Sequence, residues 1–203
     1  MIWWRRSRRS RGLRLSSRRK ERARSTYLIF GAALVGFVFL YLQFRTSALL
    51  DVDAYYHIKW SRLLWEGMLR GDFPPSFPYL PLTTLNPKDY VDHHLLFHFL
   101  LIPFTWFGDL RVGAKAAAVI FGSLGVLSCY CLILRYRVRY APIWVLALLA
   151  SSAPFLYRLS MTRAQTLSIV FLIVGIYLLF EERYRRLALV AFLYVWYYSL
   201  FVL

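Results

Sequence analysis

From Tyr27 to Phe44 the chain carries no charged residue. A run of that length is about the shortest that crosses the roughly 30 Å hydrocarbon layer of a bilayer as a helix. In lipid every backbone N–H and C=O must find its partner inside the protein, so helix is the conformation open to such a segment. Four more apolar runs follow, over residues 112–134, 140–157, 164–180 and 187–203. The pattern predicts an all-α, polytopic transmembrane bundle of about five spans. With hydrophobic residues making up 59% of the chain, a soluble domain is excluded.

The charges set the expected orientation. Eleven of the 26 basic residues precede Tyr27, in a tail over residues 1–26 that is too polar to bury a core and is expected to be disordered. Further basic clusters, Arg135-Tyr136-Arg137-Val138-Arg139 and Arg183-Tyr184-Arg185-Arg186, lie at predicted helix ends. Cations gathered at alternate ends of spans point to membrane orientation rather than to a nucleic-acid surface. The tail is therefore expected in the cytoplasm, against anionic lipid heads, with an uncleaved anchor behind it. If the host is a bacterium, the membrane is the inner one. Residues 95–107 are apolar but short and broken by Pro103, so they are expected to lie along the outer interface rather than to span. That choice places both downstream Arg clusters in the cytoplasm. Cys129 and Cys131 sit inside an apolar run and imply only packing.

The remaining outer loop, residues 45–111, holds most of the acids and all four histidines, His57, His93, His94 and His98. It opens with Asp51-Val52-Asp53-Ala54-Tyr55-Tyr56-His57. Residues 54–69 have an amphipathic pattern that Gly71 ends, and Asp53 is a candidate N-cap. Five prolines between residues 73 and 87 enforce extended chain. Titratable groups gathered in one loop of a membrane protein are a candidate site. Asp51 and Asp53, one residue apart, present carboxylates that suit a hard divalent cation such as Mg²⁺ or Mn²⁺. Asp92, His93 and His94 add imidazole and extend the choice to Zn²⁺. Hydrogen bonding at the interface is the plainer role for these histidines, and more so for His57 and His98. Arg158 and Arg163, at the outer ends of the third and fourth spans, can hold a phosphate through a bidentate pair or simply anchor the interface.

This order of basic tail, span, acidic Asp51–His57 motif, amphipathic helix, proline loop, Asp92-His93-His94 and interfacial helix leads into Phe107-Gly108-Asp109-Leu110-Arg111-Val112-Gly113-Ala114-Lys115. It resembles the N-terminal part of GT-C superfamily membrane glycosyltransferases. The Asp51–His57 motif looks most like that of the oligosaccharyltransferase catalytic subunit and its prokaryotic relatives. The resemblance implies an enzyme that takes a sugar from a polyprenyl-phosphate-linked donor at the outer membrane face. Catalytic and metal-binding roles would fall on Asp51, Asp53 and Asp92, the last alongside His93 and His94 as metal ligands, and substrate contacts on Arg158, Arg163, Tyr55 and Tyr56. Members of the group continue through more spans, so this chain is expected to be the N-terminal part of a longer enzyme and inactive alone. The rival expectation is a non-catalytic relative or accessory of such enzymes. Transport is disfavoured, because no span carries an acid near its centre.

Overall fold

The computed structural model describes residues 25–75, 92 and 94–198. Among these residues the structure is helical and contains no strand. The first helix, α1, covers Ser25–Phe44. α2 follows at Val52–Arg70, and α3 at Leu95–Leu101 runs directly into a 3-10 turn at Ile102–Trp106. The rest comprises α4 (Leu110–Arg135), α5 (Ala141–Ala150), α6 (Ala153–Leu159), α7 (Ala164–Phe180) and α8 (Tyr184–Tyr197).

Contacts distant in sequence define two ends of the bundle. At one end, Tyr157 donates to the Leu50 carbonyl, and Lys115 and Gln43 donate to the carbonyls of Thr46 and Ser160. At the other, Arg135 lies 3.4 Å from Glu181, the Tyr136 and Phe180 rings meet edge to face, and Tyr130 donates to the Tyr27 carbonyl. The five apolar segments therefore alternate in direction. Helices α1 and α4 are long and apolar enough to cross a membrane, and the α5–α6 pair would be a third if taken as one broken span. Helices α7 and α8, with 17 and 14 residues, fall below that length.

The expected third span is broken in the structure. α5 and α6 meet at a 94° bend. Pro154 has no N–H to continue the ladder, and its ring would collide with the carbonyl four residues back. Ser152 then caps α6 by accepting from the Phe155 amide.

α4 is the central element. Alongside Lys115, Phe121, Val126 and Tyr130, its buried stripe is rich in small residues: Gly113, Ala114, Ala117, Ala118, Gly122 and Gly125. Without a hydrophobic drive between helices in lipid, such residues let backbones approach closely enough to pack. A Cβ on Gly113 would lie 1.9 Å from the Phe104 carbonyl oxygen, and one on Gly122 would meet Phe39 and the Leu159 carbonyl. The 3-10 turn, α1 and α6 thus sit directly on α4. One core cluster joins Val35 and Phe39 to Val126, Tyr130, Val145 and Leu159. A second joins Phe97 and Leu101 to Phe121, Leu167 and Tyr197. The second cluster lies directly beneath the polar site.

Candidate functional site

Asp51 starts α2. Its backbone is extended (φ −139°, ψ 136°), and its side chain accepts from the Asp53 amide, so Asp51 rather than Asp53 is the N-cap. Asp53 sits in the first turn, where its charge complements the helix dipole. The helix ends at Gly71, whose left-handed φ of 75° is readily reached without a Cβ. The buried stripe of α2 contains Ala54, His57, Ile58, Ser61 and Leu64, which puts His57 inside rather than at the surface.

Asp51 and Asp53 do share one cation, and it is a side chain. Arg163, which precedes α7, places Nε and Nη2 at 2.5 and 2.7 Å from the two Asp51 carboxylate oxygens. The same Nη2 lies 2.7 Å from Asp53 Oδ2. Asp51 is almost fully buried, at 5% side-chain exposure, while Asp53 is 54% exposed. Arg163 is held further toward the charged state, first by the Asp51 hydrogen bond and then, against a smaller desolvation cost, by the two acids' charges. This fork ties the start of α2 to the start of α7.

A second cluster stands beside it. Asp92 accepts from Trp60 Nε1 at 2.8 Å, from the His94 amide at 2.9 Å, and from His98 Nδ1 at 2.7 Å. The other nitrogen of His98, Nε2, is 2.8 Å from His57 Nδ1. Carboxylate and two imidazoles thus form one hydrogen-bonded chain, Asp92–His98–His57. His98, expected to line a surface, is fully buried between Phe97 and Leu101 on α3. Burial alone would raise the Asp92 carboxyl, but the hydrogen bonds and charge of His98, with those of Trp60 and the His94 amide, bring it below the ordinary value. His57 is driven down to about 2, first by burial and then by repulsion from His98, His94 and Arg163, against the attraction of Asp92. Since His57 senses both Arg163 and Asp92, the two clusters are electrostatic neighbours.

The carboxylates expected to hold a metal ion are engaged by protein groups. Both Asp51 oxygens, one Asp53 oxygen and both Asp92 oxygens already accept from protein donors. Among the described residues no three His, Cys, Asp or Glu side chains gather in a group able to hold a metal ion. His93 lies outside the described residues. Tyr56 stands against the His57 and His98 rings, at 5.0 and 5.9 Å between centroids. Tyr55 is half exposed, and its hydroxyl accepts from the Leu49 amide at 3.4 Å. Arg158 is exposed at the end of α6 and takes no part in either cluster. Beside the clusters, Tyr198 stacks on His94 at 5.4 Å, and Gln165 donates to the Tyr198 hydroxyl at 3.2 Å. No protein-family model, no curated protein and no solved structure matches this chain.

Proposed function

We propose that the chain is an integral membrane glycosyltransferase of the GT-C kind, or the N-terminal part of one. In this reading it crosses the membrane five times with the basic tail in the cytoplasm, and its polar end faces outward. There it takes a sugar from a polyprenyl-phosphate-linked donor. The observation that carries the reading is the convergence of Asp51, Asp53, Arg163, Asp92, His98 and His57 at one end of an apolar bundle. Buried, mutually oriented titratable groups at a membrane boundary are costly to assemble and are typical of sites.

The side chains divide the work. Arg163 is the group for the carrier phosphate: a guanidinium presents a planar fork to phosphate oxygens as it does to a carboxylate. The phosphate would take the place of the exposed Asp53 first, leaving the buried Asp51 to hold the guanidinium in position. Arg158 offers a second cation at the same end. The apolar α1, α4 and α7 surfaces accept the polyprenyl chain.

One observation favours the rival reading, a non-catalytic relative. The Arg163 fork is already closed on Asp51, as a purely structural tie would be. Binding separates the two. The purified chain in lipid nanodiscs is titrated with a radiolabelled polyprenyl-phosphate hexose. The transferase reading expects saturable binding, competed by polyprenyl phosphate and strengthened by Asp53→Asn, which frees one arm of Arg163. Absence of saturable binding to wild type would leave the structural reading in possession.

A further inference from the structure

We infer that Asp92, His98 and His57 form a two-histidine proton relay that takes the proton from an acceptor hydroxyl, with His57 Nε2 as the contacting base. The inference rests on the transferase reading and adds to it the residue that activates the acceptor.

The geometry fixes the direction of the chain. Asp92 is an acceptor only, and His98 Nδ1 lies 2.7 Å from one of its oxygens, so that nitrogen carries the proton. In a neutral His98, Nε2 is then a lone pair. His57 Nδ1, 2.8 Å away, must donate to it. His57 Nε2 is left as a lone pair, and Nδ1 is the one ring nitrogen of His57 with a hydrogen-bond partner among the described residues. The tautomer of His57 is therefore dictated by a carboxylate two side chains away, an extension of the carboxylate–histidine pairing that orients bases in other sites.

A histidine that resists protonation is a poor base by itself, and the second imidazole resolves this. As the acceptor oxygen attacks the sugar's anomeric carbon, its proton passes to His57 Nε2. The Nδ1 proton of His57 moves in the same event to His98 Nε2. His57 ends neutral with its tautomer reversed, and the positive charge rests on His98 against the Asp92 carboxylate. The bond between the anomeric carbon and the carrier phosphate breaks, and its electron pair leaves with the phosphate toward Arg163. Atoms and charge balance without a further reactant. Asp51, the acid that the motif itself suggests, is badly placed for this task, since both its oxygens are held by Arg163.

The groups facing His57 are Asp92 and His98, His94 and Tyr56, and Arg163 from the start of α7. They bear on the test, which begins with the wild-type chain in micelles, its histidines labelled with ¹⁵N. At neutral pH His57 should show a protonated Nδ1 and a bare Nε2. Asp92→Asn should release that tautomer preference. A bare Nδ1 on His57 of the wild-type chain at neutral pH overturns the relay. The second arm uses membranes from cells carrying the variant in place of the native gene. His57→Gln should lower transfer to a hydroxyl acceptor by about 100-fold or more, with donor binding retained. Transfer at the wild-type rate overturns the role of His57. Wild-type membranes without transfer overturn the transferase reading, and that outcome is distinct because the tautomer measurement does not depend on turnover.

Discussion

Replacing Arg163 by Met should expose how much of the fold hangs on one guanidinium. The change keeps the aliphatic stem and removes a fork that makes two contacts to Asp51, at 2.5 and 2.7 Å, and one to Asp53, at 2.7 Å. The Asp53 arm is solvent-exposed and worth about 0–1 kcal/mol. The Asp51 arm is different. Its carboxylate is only 5% exposed, and the variant leaves it with a single 3.4 Å contact from the Asp53 amide. Breaking a buried pair from one side costs about 3–5 kcal/mol. Arg163 itself is 30% exposed, which trims the loss. The expected destabilisation is about 3 kcal/mol at pH 7. Reversible unfolding in mixed micelles, followed by far-UV circular dichroism against the fraction of denaturing detergent, measures it. Asp51→Asn in the Arg163→Met background should recover more than about 1 kcal/mol, since the uncompensated charge is gone. A loss below about 1 kcal/mol for Arg163→Met, or strict additivity in the pair, would refute the claim that this fork ties α2 to α7.

Three further outcomes follow from other parts of the structure. Gly113→Ala should destabilise by about 3 kcal/mol, the upper part of the overpacking range, because its Cβ would meet the Phe104 backbone at 1.9 Å; Gly36→Ala, with nothing within 4 Å, is the control and should be neutral or slightly stabilising in the same assay. His57 is pushed from 6.5 to about 2 by burial first, so the unfolded chain binds the extra proton between those values and stability should fall as the pH drops below 6.5. The loss at pH 5 should be about 2 kcal/mol relative to pH 8, and His57→Gln should flatten that slope in a pH series of unfolding curves. For topology, in a chain with Cys129 and Cys131 replaced by Ser, a membrane-impermeant thiol reagent applied from outside should label Ser47→Cys and should label Arg137→Cys only after permeabilisation.

The helical part of the fold was legible wherever local chemistry alone decided it. Gly71 ends α2 in both the sequence pattern and the structure, because a left-handed residue is needed there and glycine adopts it without strain. Pro103 marks the change from α3 to the 3-10 turn for an equally local reason. The apolar runs at α1 and α4 gave helices long enough to span. The third run shows where hydropathy stops informing. Residues 140–157 read as one uninterrupted apolar segment, yet Ser152 and Pro154 turn the chain by 94°. A window average weighs side-chain transfer and is blind to a missing N–H.

The site was half legible, for a reason that lies in α2. The D-x-D spacing implied that Asp51 and Asp53 converge on one divalent metal ion; the cation they share in the structure is a guanidinium. The spacing could not reveal that the cation arrives from Arg163, more than a hundred residues later, because that pairing is made by the packing of α7 on α4. For His57 and His98 the sequence favours interfacial hydrogen bonding, although both carry a readable signal of burial. His57 falls three after Ala54 and four before Ser61, on the stripe that turns inward, and His98 lies between Phe97 and Leu101 on a helix that is otherwise apolar. An imidazole on an inward stripe has to meet a partner or remain an unsatisfied polar group in a dry interior. Two such histidines on neighbouring helices can satisfy each other only if something else fixes which nitrogen carries the proton. In this chain that something is Asp92, itself fixed by Trp60 and the His94 amide. The acid is thus needed for the histidines to be buried at all. Removing it should therefore disturb the packing of α2 on α3 before it disturbs any chemistry, and in Asp92→Asn the two effects separate in the order of the chain: His98 first, then His57.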